Sequence, residues 1–147
     1  MSLSKYFEED LDNDLEAIFA DMMDEGFQFK KTPHDPRFGS FEVFNIVVVK
    51  RDSSGLSFDI KQYKDHFKQL FDILKRRGIQ LYNALAYIDN KSTMINDVDS
   101  IMKSEITTGT DFRGKTFDEI WDGLTFTIYS KSEEDSITNL TMTFCEK

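Results

Sequence analysis

The sequence predicts an α+β fold: a mainly antiparallel five-stranded sheet with two to three packed helices, in the order α-β-β-α-β-α-β-β. Three observations predict it. Two long segments repeat apolar residues at helical spacing. A run of four aliphatic residues, Ile46 to Val49, sits between turn-forming segments. The C-terminal third alternates apolar and polar residues with the period of a half-buried strand. Strands and helices do not alternate strictly, which argues against a doubly wound parallel sheet.

Each element has its own warrant. Lys5 to Glu25 reads as a helix, with Phe7, Leu11, Leu15, Ile18, Phe19 and Met22 on one face. Ser4 would cap its start and Gly26 would stop it. Its early acids, Glu8, Glu9, Asp10, Asp12 and Asp14, suit the positive end of the helix dipole. Phe27 to Lys31 is a short strand, and Thr32 to Gly39 a loop broken by proline and glycine. Phe41 to Lys50 is the strongest strand, expected to be central and covered on both faces. Asp52 to Gly55 is a turn.

Asp59 to Arg77 is the second helix, striped by Ile60, Tyr63, Phe67, Leu70, Phe71 and Leu74. Lys75, Arg76 and Arg77 complement its C-terminal dipole. Ile79 to Ile88 follows as a strand. The unit from 41 to 88 could form a right-handed crossover between parallel strands. Ser92 to Lys103 is a third helix, Thr107 to Lys115 a polar loop, and Thr116 to Gly123 a helical turn. Leu124 to Ser130 and Ile137 to Phe144 read as strands joined in a hairpin across Ser132 to Ser136.

The chain has 147 residues, which fits one globular domain spanning 1–147. Aromatic residues make up 14%, far from the composition of a disordered chain. Acidic residues number 27 against 18 basic, a net charge of −9. That balance opposes direct binding to nucleic acid or to anionic membrane surfaces and leaves a basic protein partner open. Solubility alone also accounts for such a charge. One cysteine, Cys145, allows no internal disulfide and no cysteine cluster, so a reducing cytoplasm is the expected setting. No apolar run approaches membrane-spanning length, and the N-terminus lacks the pattern of a signal peptide. Only two prolines, with abundant Phe, Ile, Lys, Asp and Asn, suit an AT-rich genome such as that of a phage or mobile element.

The sharpest motif is Gly109-Thr110-Asp111-Phe112-Arg113-Gly114-Lys115-Thr116. It resembles the phosphate-binding loop of P-loop nucleotidases, in which backbone amides cradle phosphates, lysine reaches the outer ones and the hydroxyl holds magnesium. Gly109, Gly114, Lys115 and Thr116 would bind phosphate in that reading. The surrounding pattern opposes it: the preceding segment is a poor buried strand, a hairpin is expected after it, and no later strand supplies a magnesium carboxylate. A polar loop with two glycines is the plainer reading.

Other chemistry is thinner. His34 and Asp35 lie between two prolines, where turn chemistry explains them. His66 has no carboxylate or histidine one helical turn away, so no metal site is expected, and no cofactor. Asp10, Asp12, Asp14 and Glu16 lack the glycine and distal glutamate of a calcium loop. Glu133, Glu134 and Asp135 fit a charged turn, and Cys145 an inert buried or edge thiol.

No convincing catalytic set emerges, so the expected class is a small acidic, non-catalytic protein-binding module. An inhibitor or immunity-type protein acting on a basic or nucleic-acid-handling partner fits that class. Its contact surface would be Glu8, Glu9, Asp12 and Glu16, joined by Trp121 as an aromatic anchor, although core packing suits that tryptophan better. A structural or virion assembly subunit, with sheet edges or the Trp121 region as interfaces, is the second class. Nucleotide or phosphate binding through the Gly109–Thr116 loop is the third.

Overall fold

The computed structural model describes residues 3–33, 43–50, 60–89, 105–107, 111–129 and 136–147. Their elements are α1 (Leu3–Glu9), α2 (Leu11–Asp24), β1 (Phe27–Pro33), β2 (Val43–Lys50) and, after a 3₁₀ turn at Ile60–Tyr63, α3 (Lys64–Arg76). Then come β3 (Ile79–Asp89), β4 (Glu105–Thr107), α4 (Phe117–Tyr129) and β5 (Ser136–Glu146). The fold is α+β. The sheet is antiparallel throughout, in the order β1-β2-β5-β3-β4. Four strands are seven to eleven residues long, and β4, at three residues, is a stub on the β3 edge.

The central pairing is long-range. β5 inserts between β2 and β3, opposing Ile46 with Met142 and Leu81 with Phe144. Since β5 is antiparallel to both, β2 and β3 point the same way. The β2–α3–β3 unit is therefore a crossover between like-directed strands, with β5 between them. β3 bulges at Tyr82, where the register slips between Leu81 and Asn83.

The helices form a layer in which α3 contacts α2 on one side and α4 on the other. Beneath them lies an aromatic core. Phe44, Ile46 and Val48 of β2, Leu140, Met142 and Phe144 of β5, and Leu81, Ala84 and Ala86 of β3 are each about 1% exposed or less. Phe19 of α2 stacks on Phe29 of β1 at 4.2 Å and tilts against Phe67 of α3 at 5.2 Å. Phe67 in turn meets Trp121 of α4 at 5.4 Å.

The architecture departs from the sequence expectation in several places. The first helix is two, broken at Asp10, and it starts at Leu3, ahead of Ser4. The buried set accordingly includes Leu3 and Tyr6, while Phe7 and Ile18 are only partly buried. β1 extends through Pro33. That is tolerated because β1 is an edge strand whose missing proline N–H costs no ladder bond. β2 is interior, yet only its Phe44-Ile46-Val48 face is fully buried, and Val43, Val47 and Val49 are half-buried.

The largest departure is at 117–129. The expected helical turn and strand are one continuous helix, α4, so β5 has no hairpin partner before it. Leu124 to Tyr129 alternates like a strand, but Ile120, Trp121 and Leu124 already define a buried helical face upstream. A capping box starts it: the Thr116 hydroxyl accepts from the Glu119 amide, and the Glu119 carboxylate accepts from the Thr116 amide, both at 3.3 Å. The helix expected over 92–103, the loop with His34 and Asp35, and the acidic turn at 133–135 lie outside the described residues.

Candidate functional site

The negative charge is concentrated in one place. Residues 3–25 hold nine carboxylates against the single Lys5, so α1, α2 and their junctions carry −8 of the net −9. The remainder of the chain is nearly balanced, with 18 acids and 17 bases. A chain acidic merely for solubility would intersperse its charges.

Some of these acids hold the fold together. Asp10 pairs with Arg77 at 3.3 Å, and Asp12 with Lys31 of β1 at 3.1 Å. Asp21 meets His66 Nε2 at 2.9 Å, which joins α2 to α3. The Tyr6 hydroxyl donates to Asp14 at 2.7 Å, and the Arg77 guanidinium lies over the Tyr6 ring at 4.6 Å. Burial, and next the hydrogen bond to Asp14, push the Tyr6 hydroxyl far above its ordinary value. The hydrogen bond from His66 holds the Asp21 carboxyl below the usual carboxylate range. His66 is thus a boundary histidine with a carboxylate across the helix interface.

Glu8, Glu9 and Glu16 point outward and are exposed, and among the described residues no ion pair holds them. Asp12 is exposed beside them. Of the four residues expected as the contact surface, Glu8 and Glu9 sit on α1 and Asp12 and Glu16 on α2. Trp121 does not join them. It is 5% exposed, packed between Phe67 and Phe117, and belongs to the core. The reason is its register, one residue from Ile120 and three from Leu124 on the inner face of α4.

The second candidate, the glycine loop, is described from Asp111 onward; Gly109 lies outside the described residues. Its backbone amides are already engaged. The Phe112 N–H donates to the Tyr82 carbonyl at 2.9 Å and the Lys115 N–H to the Phe112 carbonyl at 3.1 Å. The Arg113 N–H goes to Asp111, the Gly114 N–H to Gln80 Oε1, and the Thr116 N–H to Glu119. A phosphate cradle needs such amides free and converging. Here the amides of Phe112 and Gly114 staple the loop to β3, and the other three close on Asp111, Phe112 and Glu119. Gly114 has φ +79°, a left-handed turn that lets the chain double back into α4. Thr116 is spent as a helix cap, and Lys115 lies 3.9 Å from Glu119. The Thr116 backbone amide, then its hydroxyl, lowers the Glu119 carboxyl. The hydrogen bonds from Arg113 lower Asp111 in the same way.

Beside this loop lies a cleft of about 250 Å³, between the end of α3, the start of β3 and the start of α4. Phe71, Leu81, Phe112, Phe117 and Ile120 form its floor. Lys75, Lys115 and Lys147 stand on its rim with Asp72. No local pattern encodes this cleft, because its lining residues come from four separated segments. Lys75 looked fully explained as a helix-end cation.

Compared with family models, curated proteins and solved structures, the chain finds no match. Among the described residues no group of three or more histidine, cysteine, aspartate or glutamate side chains is placed to hold a metal ion. Among the same residues no helix is long and apolar enough to cross a membrane. Cys145 is buried, and that burial pushes its thiol upward, away from the reactive thiolate.

Proposed function

We propose that this chain is a small, non-catalytic protein-binding module of the cytoplasm that docks a basic protein on its α1–α2 face through Glu8, Glu9, Asp12 and Glu16. A phage- or mobile-element-encoded inhibitor or immunity-type protein works in this way. The observation that carries the reading is the charge polarisation: nearly all of the net charge sits on one helical layer. A field of that kind speeds encounter with a cationic surface and weakens within about 8 Å at physiological salt.

The test is affinity capture with tagged protein at low and moderate salt, beside a variant carrying Glu8→Lys, Glu9→Lys and Glu16→Lys. The expected result is one basic protein retained at low salt, released as salt rises, and lost with the variant. A partner that binds wild type and variant alike would overturn the reading.

A further inference from the structure

We propose that the cleft between α3, β3 and α4 is a binding site for a small organic anion with a single-ring or short aliphatic body. The site has two chemically distinct parts. Its floor is apolar: Phe112 is 2% exposed, Ile120 7% and Phe71 8%, so these rings and methyls form a packed wall with a residual opening. Phe71 and Phe117 tilt against one another at 5.5 Å along it. Its rim is cationic. Lys75 comes from the last turn of α3, Lys115 from the residue before the cap of α4, and Lys147 from beyond β5.

Among the lining side chains three are lysines and one is a carboxylate. Asp72 is the carboxylate among the lining residues, and Glu119 reaches Lys115 only at 3.9 Å, longer than a strong charge-assisted hydrogen bond. This is a cationic mouth on a chain whose net charge is −9. A cation cluster that serves only solubility needs no aromatic wall beneath it. An apolar dimple that is only a packing flaw needs no lysines from three segments. An occupant with one anionic group at the rim and a ring on the floor satisfies both.

Size narrows the class. A volume of 250 Å³ equals that of about eight waters of liquid. It suits a benzoate- or phenyl phosphate-sized molecule and is too small for a whole nucleotide. Carboxylate and phosphate share the chemistry the lysines recognise. The inference does not need the amides of the glycine loop, all of which have internal acceptors from Phe112 to Thr116.

The experiment is a titration of the ¹⁵N-labelled full chain, followed by amide shifts, with four probes: phenyl phosphate, phenylacetate, inorganic phosphate and benzyl alcohol. Saturable shifts of Asp72, Lys75 and Gly114 to Ile120 are expected with one or both aromatic anions, and which of the two separates phosphate from carboxylate recognition. Inorganic phosphate and benzyl alcohol should each bind at least about tenfold more weakly, since each lacks one half of the occupant. The double variant Lys75→Gln with Lys115→Gln alters two exposed side chains. It should weaken the aromatic anions at least about tenfold, while loss of the helix-dipole and Glu119 contacts lowers the melting temperature by no more than about 4 °C. Absence of saturable shifts with both aromatic anions overturns the proposal. So does inorganic phosphate matching phenyl phosphate, which would reduce the site to a patch of charge, or benzyl alcohol matching both anions.

Discussion

Replacing Tyr6 with phenylalanine tests the joint between α1, α2 and α3 most directly. The ring is wholly buried, so the substitution keeps its packing and removes only the hydroxyl that donates to Asp14 at 2.7 Å. A hydrogen bond to a charged acceptor contributes about 1.5–3 kcal/mol. Asp14 is only half-buried and can regain water, so the loss should fall at the low end, about 1–2 kcal/mol. For a chain of this size that corresponds to a melting temperature lower by roughly 2–8 °C. The pH dependence supplies the diagnostic. The folded hydroxyl titrates far above its unfolded value of about 10, so folding favours the protonated form. The stability tied to Tyr6 is complete below that unfolded value and drains away as pH rises past it, at up to about 1.4 kcal/mol per pH unit. The variant has no hydroxyl to ionise, and the other tyrosines cancel in the comparison. Urea unfolding at pH 8 and pH 11 should therefore show the gap between wild type and variant closing by about 1.4 kcal/mol. A gap unchanged between the two pH values would refute the burial of a neutral Tyr6 in this joint.

Three further outcomes are expected. Phe19→Ala, at a wholly buried ring stacked on Phe29 and tilted against Phe67, should cost about 3–5 kcal/mol in urea unfolding. Gly123→Ala should destabilise the protein even though alanine is the better helix former. The new Cβ would meet Phe112 Cε1 at 2.9 Å, and an overpacking cost of about 1–3 kcal/mol offsets or exceeds the roughly 1 kcal/mol of propensity gained, as thermal melts would show. Asp21→Asn should flatten part of the acid limb of the stability curve. The folded carboxyl is held low by His66, so its contribution is present above the unfolded value of about 3.9 and lost as pH falls through the folded one. Wild type and variant should therefore converge in acid, measured by urea midpoints between pH 2 and pH 6.

Local signals made much of the fold legible. The stripes of Leu11, Leu15 and Met22, and of Phe67, Leu70 and Leu74, bury the faces that periodicity assigns them. The Ile46–Val49 run is an interior strand, between β1 and β5, with Ile46 and Val48 buried and Val47 and Val49 half-buried on its other face. Where the reading failed, a longer-range term won. The Leu124–Tyr129 alternation suggests a strand only when taken alone; the capping box at Thr116 and Glu119 starts a helix that runs through it. The Asp10 break is masked in the sequence because Phe7, four residues before Leu11, continues the stripe, whereas the structure buries Leu3 and Tyr6 and leaves Phe7 only partly buried. The insertion of β5 between β2 and β3 joins residues about a hundred positions apart, and no local pattern encodes that. The candidate site divides the same way. The acids were visible because they cluster in one stretch of sequence, whereas the lysine-rimmed cleft exists only after four segments meet.

The acidic layer serves two ends, and they separate by direction. Asp10, Asp14 and Asp21 are engaged within the fold, by Arg77 just after α3, by Tyr6 of α1 and by His66 of α3. The sequence of α3 is basic, with Lys64, Lys68, Lys75 and Arg76 against Asp65 and Asp72, and Lys64 pairs with Asp118 of α4 at 3.7 Å. Docking alone would be satisfied by those inward acids. Glu8, Glu9 and Glu16 add like charge to the same layer and, among the described residues, pair with nothing, which raises self-repulsion without a structural return. Two sets of neutral variants tell the purposes apart. Asp10→Asn with Asp21→Asn should lower the urea midpoint and leave salt-sensitive capture of a basic partner in place. Glu8→Gln, Glu9→Gln and Glu16→Gln should hold or raise the midpoint while capture is lost. Loss of stability from the outward set would make those carboxylates part of the scaffold and remove the argument for an interface.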